Sequence, residues 1–252
     1  MSHPEQLAFF ELVVKSLTPK MRLGKVIEIG SYDVNGTIRA VIGLCEEYVG
    51  VDLTEGPGVS VVEYGHRVDI CDGYFDLSLS SECFEHDPYW KLTFLNMIRL
   101  TKPNGVVAFT CASNGRPEHG TIRSNPILSP GTQSVELDYY LNLSAADFEA
   151  EINLSNHFSK YRFYRNPITW DLYFVGVRLS PENVHWANTN LPSIAEVRTA
   201  TSLTPFSHKV ARIPLYCLFR VLPEVVYNQI AFRYWRILER ANRRLAGGKF
   251  VR

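Results

Sequence analysis

The stretch that decides the fold is KVIEIGSYDVNG, residues 25–36. It begins with a short apolar run closed by Gly30, and such a run is typical of a strand buried inside a sheet. A glycine lets the backbone turn sharply and approach a ligand where a Cβ atom would collide. The loop that follows ends in Gly36, and residues 37–44 have the pattern of a helix. The stretch therefore predicts a strand, a tight turn and a helix, the first unit of an α/β fold.

The same alternation continues along the chain. Further strands are predicted at residues 48–53, 59–62, 75–80, 106–110, 158–164 and 172–179, with a turn at 102–105. Further helices are predicted at residues 3–17, ended by Pro19, at 90–100, and at 144–152, capped by Ser144. Strands separated by helix-length segments imply right-handed crossovers and a parallel sheet. We therefore predict a Rossmann-like, doubly wound α/β fold with a seven-stranded, mostly parallel sheet in residues 1–180, and a helical extension in residues 181–252.

Composition and charge narrow the class of protein. Hydrophobic residues make up 46% of the 252 residues, which suffices for a sizeable core and excludes a disordered chain. The 26 basic and 26 acidic residues cancel, which argues against a basic surface for nucleic acid over the whole protein. Five scattered cysteines without a CxxC pair argue against a disulfide framework or a cysteine-rich zinc site, and they fit a cytoplasmic protein. No apolar run approaches the ~20 residues of a membrane-spanning helix, and the N-terminus lacks the pattern of a secretory signal.

Two acidic residues, Glu28 and Asp52, lie near the ends of the first two strands. Asp52 follows the turn at Gly30 by about twenty residues, the spacing at which an acid binds ribose hydroxyls in nucleotide-binding sheets. A dinucleotide-binding dehydrogenase is the nearest alternative. Its third glycine is absent here, and Glu28 would repel a pyrophosphate. The pair of carboxylates therefore favours a positively charged nucleoside without phosphates.

Together these motifs resemble the class I S-adenosylmethionine-dependent methyltransferases, with the bacterial, glycan-modifying type expected. The resemblance rests on GKVIEIGSYDVNGT, EYVGVDL, FDLSLSSECFEH and LTKPNGVVAFT, and it covers about residues 20–180. It implies S-adenosylmethionine as the cofactor, and it implies a cofactor site made of Glu28, Gly30, Ser31, Tyr32, Asn35, Gly36, Asp52, Leu53, His66 and Ser81. In this family the first motif surrounds the methionine part, and the counterpart of Asp52 holds the ribose. The chain departs from the family at Tyr32, where the common loop has a glycine.

A second polar cluster, SSECFEHDPYW at residues 80–90, follows the fourth strand at the same edge. Methyl transfer to oxygen is an in-line displacement that needs positioning and removal of the acceptor's proton. His86 with its neighbour Glu85 is suited to be the base, and His119 is a further catalytic candidate. The alternative is that these residues cap the next helix or bond the backbone. Because consecutive residues rarely point at one ion, a metal held by Glu85, His86 and Asp87 is disfavoured, and we predict no metal.

A long polar loop follows the fifth strand and should overhang the acceptor. Hydrogen-bond donors in and after it suit a polar, oxygen-rich acceptor, including an anionic one: Arg116, His119, Arg123, Tyr139 and Tyr140. We therefore expect O-methylation of a saccharide, in particular of a cell-envelope glycan. The alternatives are a small natural product as acceptor, a solvated loop without a ligand, and a non-catalytic partner subunit that binds the cofactor.

The C-terminal part of the chain is basic and aromatic. Between residues 205 and 252, ten Lys and Arg residues stand against two Glu residues, a net charge of +8 in a chain that is neutral overall. At helical spacing, a basic stripe of Arg233, Arg236, Arg240 and Arg243 lies beside an apolar one of Phe232, Trp235, Leu238 and Ala241. Such a helix can lie on an anionic membrane surface, or pack against the domain or a second subunit. We expect residues 206–252 to hold the protein at the inner face of the membrane or to form a contact in a homo-oligomer, with nucleic acid the least favoured partner.

Overall fold

Seven strands form one sheet in the computed structural model, which describes residues 3–17, 24–34, 36–180 and 190–245. The strands are β1 (Lys25–Ile29), β2 (Glu47–Asp52), β3 (Val61–Val62), β4 (Phe75–Ser81), β5 (Thr101–Ala112), β6 (Phe158–Asn166) and β7 (Asp171–Arg178). Their order across the sheet is β3-β2-β1-β4-β5-β7-β6. Strands β1 to β5 pair in parallel, whereas β7 runs antiparallel to both β5 and β6. The predicted Rossmann-like, seven-stranded and mostly parallel sheet is therefore confirmed.

Helices cover both faces of this sheet. They are α1 (Pro4–Leu17), α2 (Arg39–Ile42), α3 (Trp90–Leu100), α4 (Pro130–Ser134), α5 (Ala145–Glu151), α6 (Ile194–Ala200), α7 (Phe206–Phe219) and α8 (Glu224–Leu245). The predictions for β1 and α3 have the observed bounds, and α2 is shorter than its predicted range. At the start of α5, the backbone N–H of Ser144 donates to the carboxylate of Asp147 at 2.7 Å, as expected of a helix cap. Pro19, predicted to end α1, lies outside the described residues.

The strand β5 starts earlier than its sequence suggests. The predicted turn at residues 102–105 lies inside the strand, where pairing with β4 jumps from Phe75 opposite Thr101 to Leu77 opposite Val106. Asn104 adopts a φ of 62°, in the left-handed region that asparagine tolerates. The turn residues therefore form a bulge that lengthens the strand.

Alternating side chains of the strands divide the core into two layers. On one face, Ile27 and Ile29 of β1 pack with a group of buried phenylalanines that includes Phe94 and Phe109, whose ring centroids are 5.3 Å apart. On the opposite face, Val26 packs with the buried side of α1. The sheet therefore holds the carboxyl ends of β1, β2 and β4 in fixed positions along one edge.

The C-terminal helices contact the body of the protein at more than one place: α6 lies against α1 and β6, and α7 and α8 meet Trp170 at the start of β7. Trp170, Leu215, Tyr227 and Ala231 form a small buried apolar cluster, and the hydroxyl of Tyr227 donates to the backbone carbonyl of Gly115 at 2.6 Å. The described helices include none that is long and apolar enough to cross a membrane. All five cysteines are free thiols in this structure.

Candidate functional site

A cavity opens at the carboxyl ends of β1, β2 and β4, where strand order reverses across the sheet. We call it the edge pocket. Its walls are the turn after β1, the ends of β2 and β3, the segment after β4, and part of a long loop. That loop, residues 113–144, joins β5 to α5 and includes α4; we call it the covering loop. Ligands of doubly wound sheets bind at such a reversal point, so this cavity is the candidate site.

The turn after β1 has the tight geometry that its glycine predicts. Gly30 lines the pocket with a φ of 79°, and a Cβ atom added there would lie 2.7 Å from the Cβ of Cys83. The backbone N–H groups of Gly30 and Ser31 donate to the carbonyl of Val51 at 2.9 and 3.0 Å. The turn is thereby tied to β2, and at Gly30 its backbone forms part of the cavity wall.

Asp52 is the carboxylate of the pair that reaches the edge pocket. It accepts hydrogen bonds from the backbone N–H groups of Tyr32 at 3.0 Å and Leu53 at 2.7 Å. Burial raises its pKa, and these two N–H groups act in the opposite direction. A Cβ atom on Gly131 would come within 2.2 Å of one carboxylate oxygen, so the covering loop closes directly over this acid. The predicted ribose-binding residue is therefore oriented by the backbone and faces the cavity.

The side chain of Tyr32 fits without blocking the site. Its ring lies against Gly56, where a Cβ atom would be only 2.1 Å from the nearest ring carbon. Tyr32 and Leu53 both line the pocket. Gly56 therefore leaves room for the tyrosine ring, which forms a wall of the cavity.

Glu28 does not share the pocket with Asp52, which corrects the sequence prediction. Its carboxyl is buried on the opposite face of the sheet, where it accepts a hydrogen bond from the hydroxyl of Tyr48. Burial raises the pKa of Glu28 to about 7, and the hydrogen bond from Tyr48 opposes this rise. Because successive side chains of a strand point to opposite faces, the pocket receives Ile29 and not its neighbour. Glu28 is therefore part of the core.

Four other predicted cofactor residues also lie away from the cavity wall or outside the description. Ser31 is buried beside Gly50. The backbone N–H of Gly36 donates to the carboxylate of Asp33 at 2.7 Å. Asn35 lies outside the described residues. The ring of His66 lies 4.4 Å from that of Tyr89, and the wall position is taken by the preceding residues Glu63, Tyr64 and Gly65.

Ser81 likewise contributes no wall to the pocket. Its hydroxyl pairs with that of Thr110 at 3.3 Å within the sheet. The next residue, Glu82, lines the cavity instead, with a φ of 51°. Such a backbone conformation is uncommon for a residue other than glycine and turns the chain sharply at the end of β4. For both Ser81 and His66, the residue that lines the cavity is a neighbour in the sequence.

Beside the pocket, two acids and two imidazoles are buried together. We call Glu82, Glu85, His86 and His119 the Glu–His cluster. Glu85 and His86 lie in a short 3-10 turn after β4, whereas His119 comes from the covering loop. The rings of His86 and His119 are 5.2 Å apart, and Nε2 of His119 is 3.7 Å from Oε1 of Glu85. Glu82, His86 and His119 line the pocket, while Glu85 lies behind them with no exposed surface.

Burial dominates the protonation of this cluster. It lowers the pKa of His86 to about 4, and it lowers that of His119 well below its ordinary value with help from the positive charge of Arg116. It raises the pKa of Glu85 to about 7 and that of Glu82 well above its ordinary value, the latter also because Glu85 is close. Both imidazoles are therefore neutral at pH 7.

Several polar atoms of the cluster have no hydrogen-bond partner among the described residues: both carboxylate oxygens of Glu82, both of Glu85, and Nδ1 of His86. The backbone N–H groups of Glu85 and Ala112 are close enough to counter part of the rise in the pKa of Glu85 without forming a well-aligned bond. Buried polar groups are nearly always paired in folded proteins. These unsatisfied polar atoms mark the cluster as a place where a ligand, an ion or water supplies the missing interactions.

The arginine predicted to hold substrate is already bound inside the protein. Arg116 contacts the carboxylate of Asp171 and the carbonyl of Thr169, both at 2.8 Å, and Nε2 of His3 at 3.0 Å. It also lies 3.9 Å from a carboxylate oxygen of Glu82. The sequence places these partners far apart, and only folding brings them together. Arg116 therefore fastens the covering loop to the start of β7 and does not line the cavity.

The prediction that Arg123 holds substrate is also wrong in this structure, for a different reason. Arg116 is buried, whereas Arg123 lies on the outer side of the covering loop. Its exposed side chain pairs with Glu118 at 2.8 Å and with Asp138 at 2.7 Å. Tyr139 is partly exposed and does not line the pocket, and Tyr140 is packed against His119, with its hydroxyl 3.2 Å from Nδ1. Of the predicted substrate residues, His119 is the one that reaches the cavity.

Sequence reasoning missed part of the wall. Cys83 and Asp87 flank the cluster residues, and the carboxylate of Asp87 accepts from the hydroxyl of Thr93 and the backbone N–H of Tyr89. Both belong to the motif at residues 80–90, where the sequence suggests a role for Asp87 only as a metal ligand. Residues 128–132 and Leu137 complete the wall from the covering loop. Their sequence has the composition of an ordinary turn and does not indicate a site. They become part of the wall only because the loop folds over Asp52.

The sequence matches no protein-family model and no curated protein. Among solved structures, the chain is similar to a 1,6-didemethyltoxoflavin N1-methyltransferase of Burkholderia thailandensis with bound S-adenosylhomocysteine: 15% identity, 70% of this chain and 80% of that one, TM-score 0.48. It is also similar to an N-methyltransferase of Bradyrhizobium japonicum in complex with S-adenosylhomocysteine: 11% identity, 71% and 89% of the two chains, TM-score 0.47. Because these TM-scores lie below 0.5, the function has to be argued from the residues of the site.

Proposed function

We propose that the protein is an S-adenosylmethionine-dependent methyltransferase that acts on an oxygen of a polar acceptor. The observation that carries this proposal is Asp52. Its carboxylate is fixed by two backbone N–H groups, faces a cavity at the reversal point of the sheet, and stands next to the glycine turn at Gly30. A carboxylate so placed suits the two hydroxyls of a ribose. Since neither lysine nor arginine is found among the described residues of the wall, the cavity suits a cationic ligand better than a phosphate-bearing one.

The cofactor site we propose is smaller than the one predicted from the sequence. Gly30, Tyr32 and Leu53 form its wall with Asp52, and Tyr64 and Gly65 close the far side. Glu28 is excluded because its carboxyl lies on the other face of the sheet. A planar base could pack between the aromatic and small residues of this wall, while the methionine part would extend towards the turn after β1.

The Glu–His cluster is where we place the acceptor. Its pocket-facing members, Glu82, His86 and His119, can hold and deprotonate a hydroxyl group. In the reaction, the acceptor oxygen forms a bond to the methyl carbon while the carbon–sulfur bond breaks and its electron pair returns to sulfur. The proton of the hydroxyl passes to the cluster. The products are a methyl ether, the neutral thioether S-adenosylhomocysteine, and a protonated cluster.

A neutral hydroxyl, and not an anion, is the acceptor that these residues suit. Arg116 and Arg123 are both paired within the protein, so the cations that would have held an anionic acceptor are occupied. Carboxylates and imidazoles hydrogen-bond hydroxyl groups well. We therefore propose a saccharide hydroxyl as the acceptor, with a cell-envelope glycan as the source to examine first. A small hydroxylated natural product is the second candidate, favoured by how closely the covering loop approaches Asp52.

Calorimetry tests the cofactor proposal. The intact protein should bind S-adenosylmethionine and not NAD, and Asp52→Asn should weaken binding by one to two orders of magnitude, because a hydrogen bond to a charged group contributes about 1.5–3 kcal/mol. Glu28→Gln is the matched control and should leave the affinity within a few-fold. Tight binding of NAD alone, or unchanged binding in Asp52→Asn, would overturn the assignment. His86→Ala should abolish turnover while cofactor affinity stays within a few-fold.

We also propose that α7 holds the protein at an anionic membrane surface. Phe206, Val210 and Ile213 lie at helical spacing and are 80%, 46% and 57% exposed. Lys209 lies between them in sequence, and Arg233 on α8 is exposed. An exposed apolar row with nearby cations is the pattern of a helix that lies in the membrane interface. The basic stripe predicted on α8 is only partly described, since the side chains of its other arginines lie outside the description.

Flotation with vesicles tests the membrane proposal. The intact protein should float with anionic vesicles of phosphatidylglycerol and remain behind with neutral phosphatidylcholine, and salt should reverse the binding. A double variant, Phe206→Ser with Ile213→Ser, should lose the association without loss of stability, because both side chains are exposed. If the intact protein never floats and the double variant converts a dimer into a monomer in light scattering, the same apolar row is a contact between two copies of the chain.

A further inference from the structure

We infer that Glu85, His86 and His119 form a binding site for a divalent transition-metal cation of the Zn²⁺ type at the inner wall of the edge pocket. One donor atom of each of the three side chains lies within 4.8 Å of the other two. The sequence argued against a metal because Glu85, His86 and Asp87 are consecutive. Folding changes the set: Asp87 is held by Thr93 and Tyr89, and His119 from the covering loop takes its place.

His119 is oriented as a metal ligand would be. Its Nδ1 lies 3.2 Å from the backbone carbonyl of Pro117. A carbonyl only accepts hydrogen bonds, and the hydroxyl of Tyr140, also 3.2 Å from Nδ1, can accept one while it donates to Asn142. A ring proton on Nδ1 suits both contacts and leaves the lone pair of the neutral ring on Nε2. Metal-binding histidines typically donate their second N–H to a carbonyl or carboxylate in this way. Nε2 points at Oε1 of Glu85 across 3.7 Å, so two acceptors face each other with room for a cation between them.

The unpaired atoms of the cluster support the same conclusion. Neither oxygen of Glu85 forms a well-aligned hydrogen bond among the described residues, and neither does Nδ1 of His86, although the backbone of Tyr139 is close enough to the His86 ring to raise its pKa slightly against the effect of burial. Glu85 has no exposed surface and His86 is 7% exposed, so bulk water does not serve these atoms. A buried donor or acceptor that has no hydrogen bond costs about 1–3 kcal/mol of stability, and a charged group costs more. A cation held between them would satisfy all three ligands at once.

The charges around the cluster also call for a cation. Glu82, Glu85 and Asp171 are buried carboxylates, and Arg116 is the arginine that contacts this group, at 2.8 Å from Asp171 and 3.9 Å from Glu82. A divalent cation between Glu85 and the two imidazoles would offset the negative charge that these carboxylates carry when ionised, which a low-dielectric interior favours.

The ligand types indicate which cations fit. Two imidazoles and one carboxylate suit Zn²⁺, Co²⁺, Mn²⁺ or Fe²⁺, whereas Mg²⁺ and Ca²⁺ prefer an all-oxygen shell. A Zn²⁺ ion bound at roughly 2.0–2.2 Å from each donor needs the donors about 3.4 Å apart, so side-chain donors up to 4.8 Å apart must approach one another by up to about 1.4 Å on binding. His86 and His119 line the pocket, so the open coordination position faces the cavity.

One consequence rests on the proposed function. An acceptor hydroxyl bound at the open position would have its pKa lowered by the cation. Glu82 lines the pocket outside the ligand set and is placed to take the proton. The binding of the cation itself depends on neither S-adenosylmethionine nor an acceptor, and it can be measured without either of them.

Titration with Co²⁺ and Zn²⁺ tests the inference. The full chain, stripped with a chelator that is then removed, should bind one equivalent of Co²⁺ with visible absorption of a nitrogen- and oxygen-coordinated ion, and Zn²⁺ should displace it. His119→Gln and Glu85→Gln should each weaken binding on the order of 100-fold, because each removes one of three ligands. His157→Ala, a histidine at the edge strand far from the cluster, is the matched control and should bind as the intact protein does.

The outcomes separate the two proposals. Absence of a stoichiometric Co²⁺ complex, or equal binding by His119→Gln and the intact protein, overturns the metal site even if S-adenosylmethionine binds. Metal binding without any binding of S-adenosylmethionine in calorimetry overturns the proposed function and leaves the metal site standing. Circular dichroism and urea unfolding of both ligand variants show whether they fold; if one does not, the other provides the comparison.

Discussion

Replacing Glu28 by glutamine should make the protein less sensitive to alkaline pH. Glu28 is buried and its pKa rises from 4.5 to about 7, because burial penalises the charged form. The folded state thus prefers the neutral acid, and the unfolded chain releases the proton first. The stability that this group contributes is complete below pH 4.5 and is lost as the pH rises through 7. At about 1.4 kcal/mol for each pH unit, the full loss is about 3 kcal/mol.

Glutamine resembles the neutral acid in shape, and its carbonyl can still accept from the hydroxyl of Tyr48. The variant should therefore match the intact protein near pH 5 and exceed its stability by about 2–3 kcal/mol at pH 8.5. Urea unfolding followed by circular dichroism at both pH values measures this difference. Other groups that titrate in the same range are common to both proteins, so they cancel in the comparison.

Glu11→Gln is the control for a simple change of charge. Glu11 is half-exposed and pairs with Lys15 at 2.6 Å on the surface of α1, so its loss should change stability by less than about 1 kcal/mol and equally at both pH values. Equal pH dependence in Glu28→Gln and the intact protein would refute the burial argument. A loss of more than tenfold in S-adenosylmethionine affinity would instead restore Glu28 as a cofactor ligand.

Three further substitutions probe the frame around the site, each by urea unfolding. Arg116→Met leaves the carboxylate of Asp171 buried without its partner and should lower the free energy of unfolding by about 3–5 kcal/mol; a loss below 1 kcal/mol would contradict the role given to this ion pair. Gly30→Ala forces a Cβ atom to 2.7 Å from a side-chain carbon at a φ of 79° and should cost about 1–3 kcal/mol, whereas an unchanged stability would show that the turn can relax. Tyr227→Phe removes the hydrogen bond to the carbonyl of Gly115 and should cost about 0.5–1.5 kcal/mol, unless α8 packs elsewhere in solution.

Closure of the covering loop links the two halves of the site. Gly131 approaches Asp52 so closely that a Cβ atom there would lie 2.2 Å from one carboxylate oxygen, and both residues line the edge pocket. The same loop brings His119 to the Glu–His cluster. One segment of chain therefore borders both the cofactor side and the acceptor side of the proposed site.

Much of the fold follows from local sequence. The bounds of β1 and α3, the turn at Gly30 and the acid at the end of β2 are fixed by apolar periodicity and by glycine, and these act over a few residues. Asp52 could be assigned from sequence because the carboxyl ends of neighbouring parallel strands necessarily meet at one edge. Residues 82, 83, 86 and 87 line the cavity for the same reason, since they follow β4 at this edge, whereas the predicted Ser81 does not.

The tertiary structure alone decided which side chains reach the site. Glu28 and Ile29 are adjacent in sequence, but only the packing of the two sheet faces shows that the acid enters the core. Arg116 and Arg123 have the same chemistry, and their different fates depend on partners such as Asp171 that lie far away along the chain. His119 joins Glu85 because a long loop folds back, and no periodic signal records that path. The local preference for a helix, strand or turn can therefore be predicted from the sequence, whereas contacts between distant segments depend on the free energy of the whole chain.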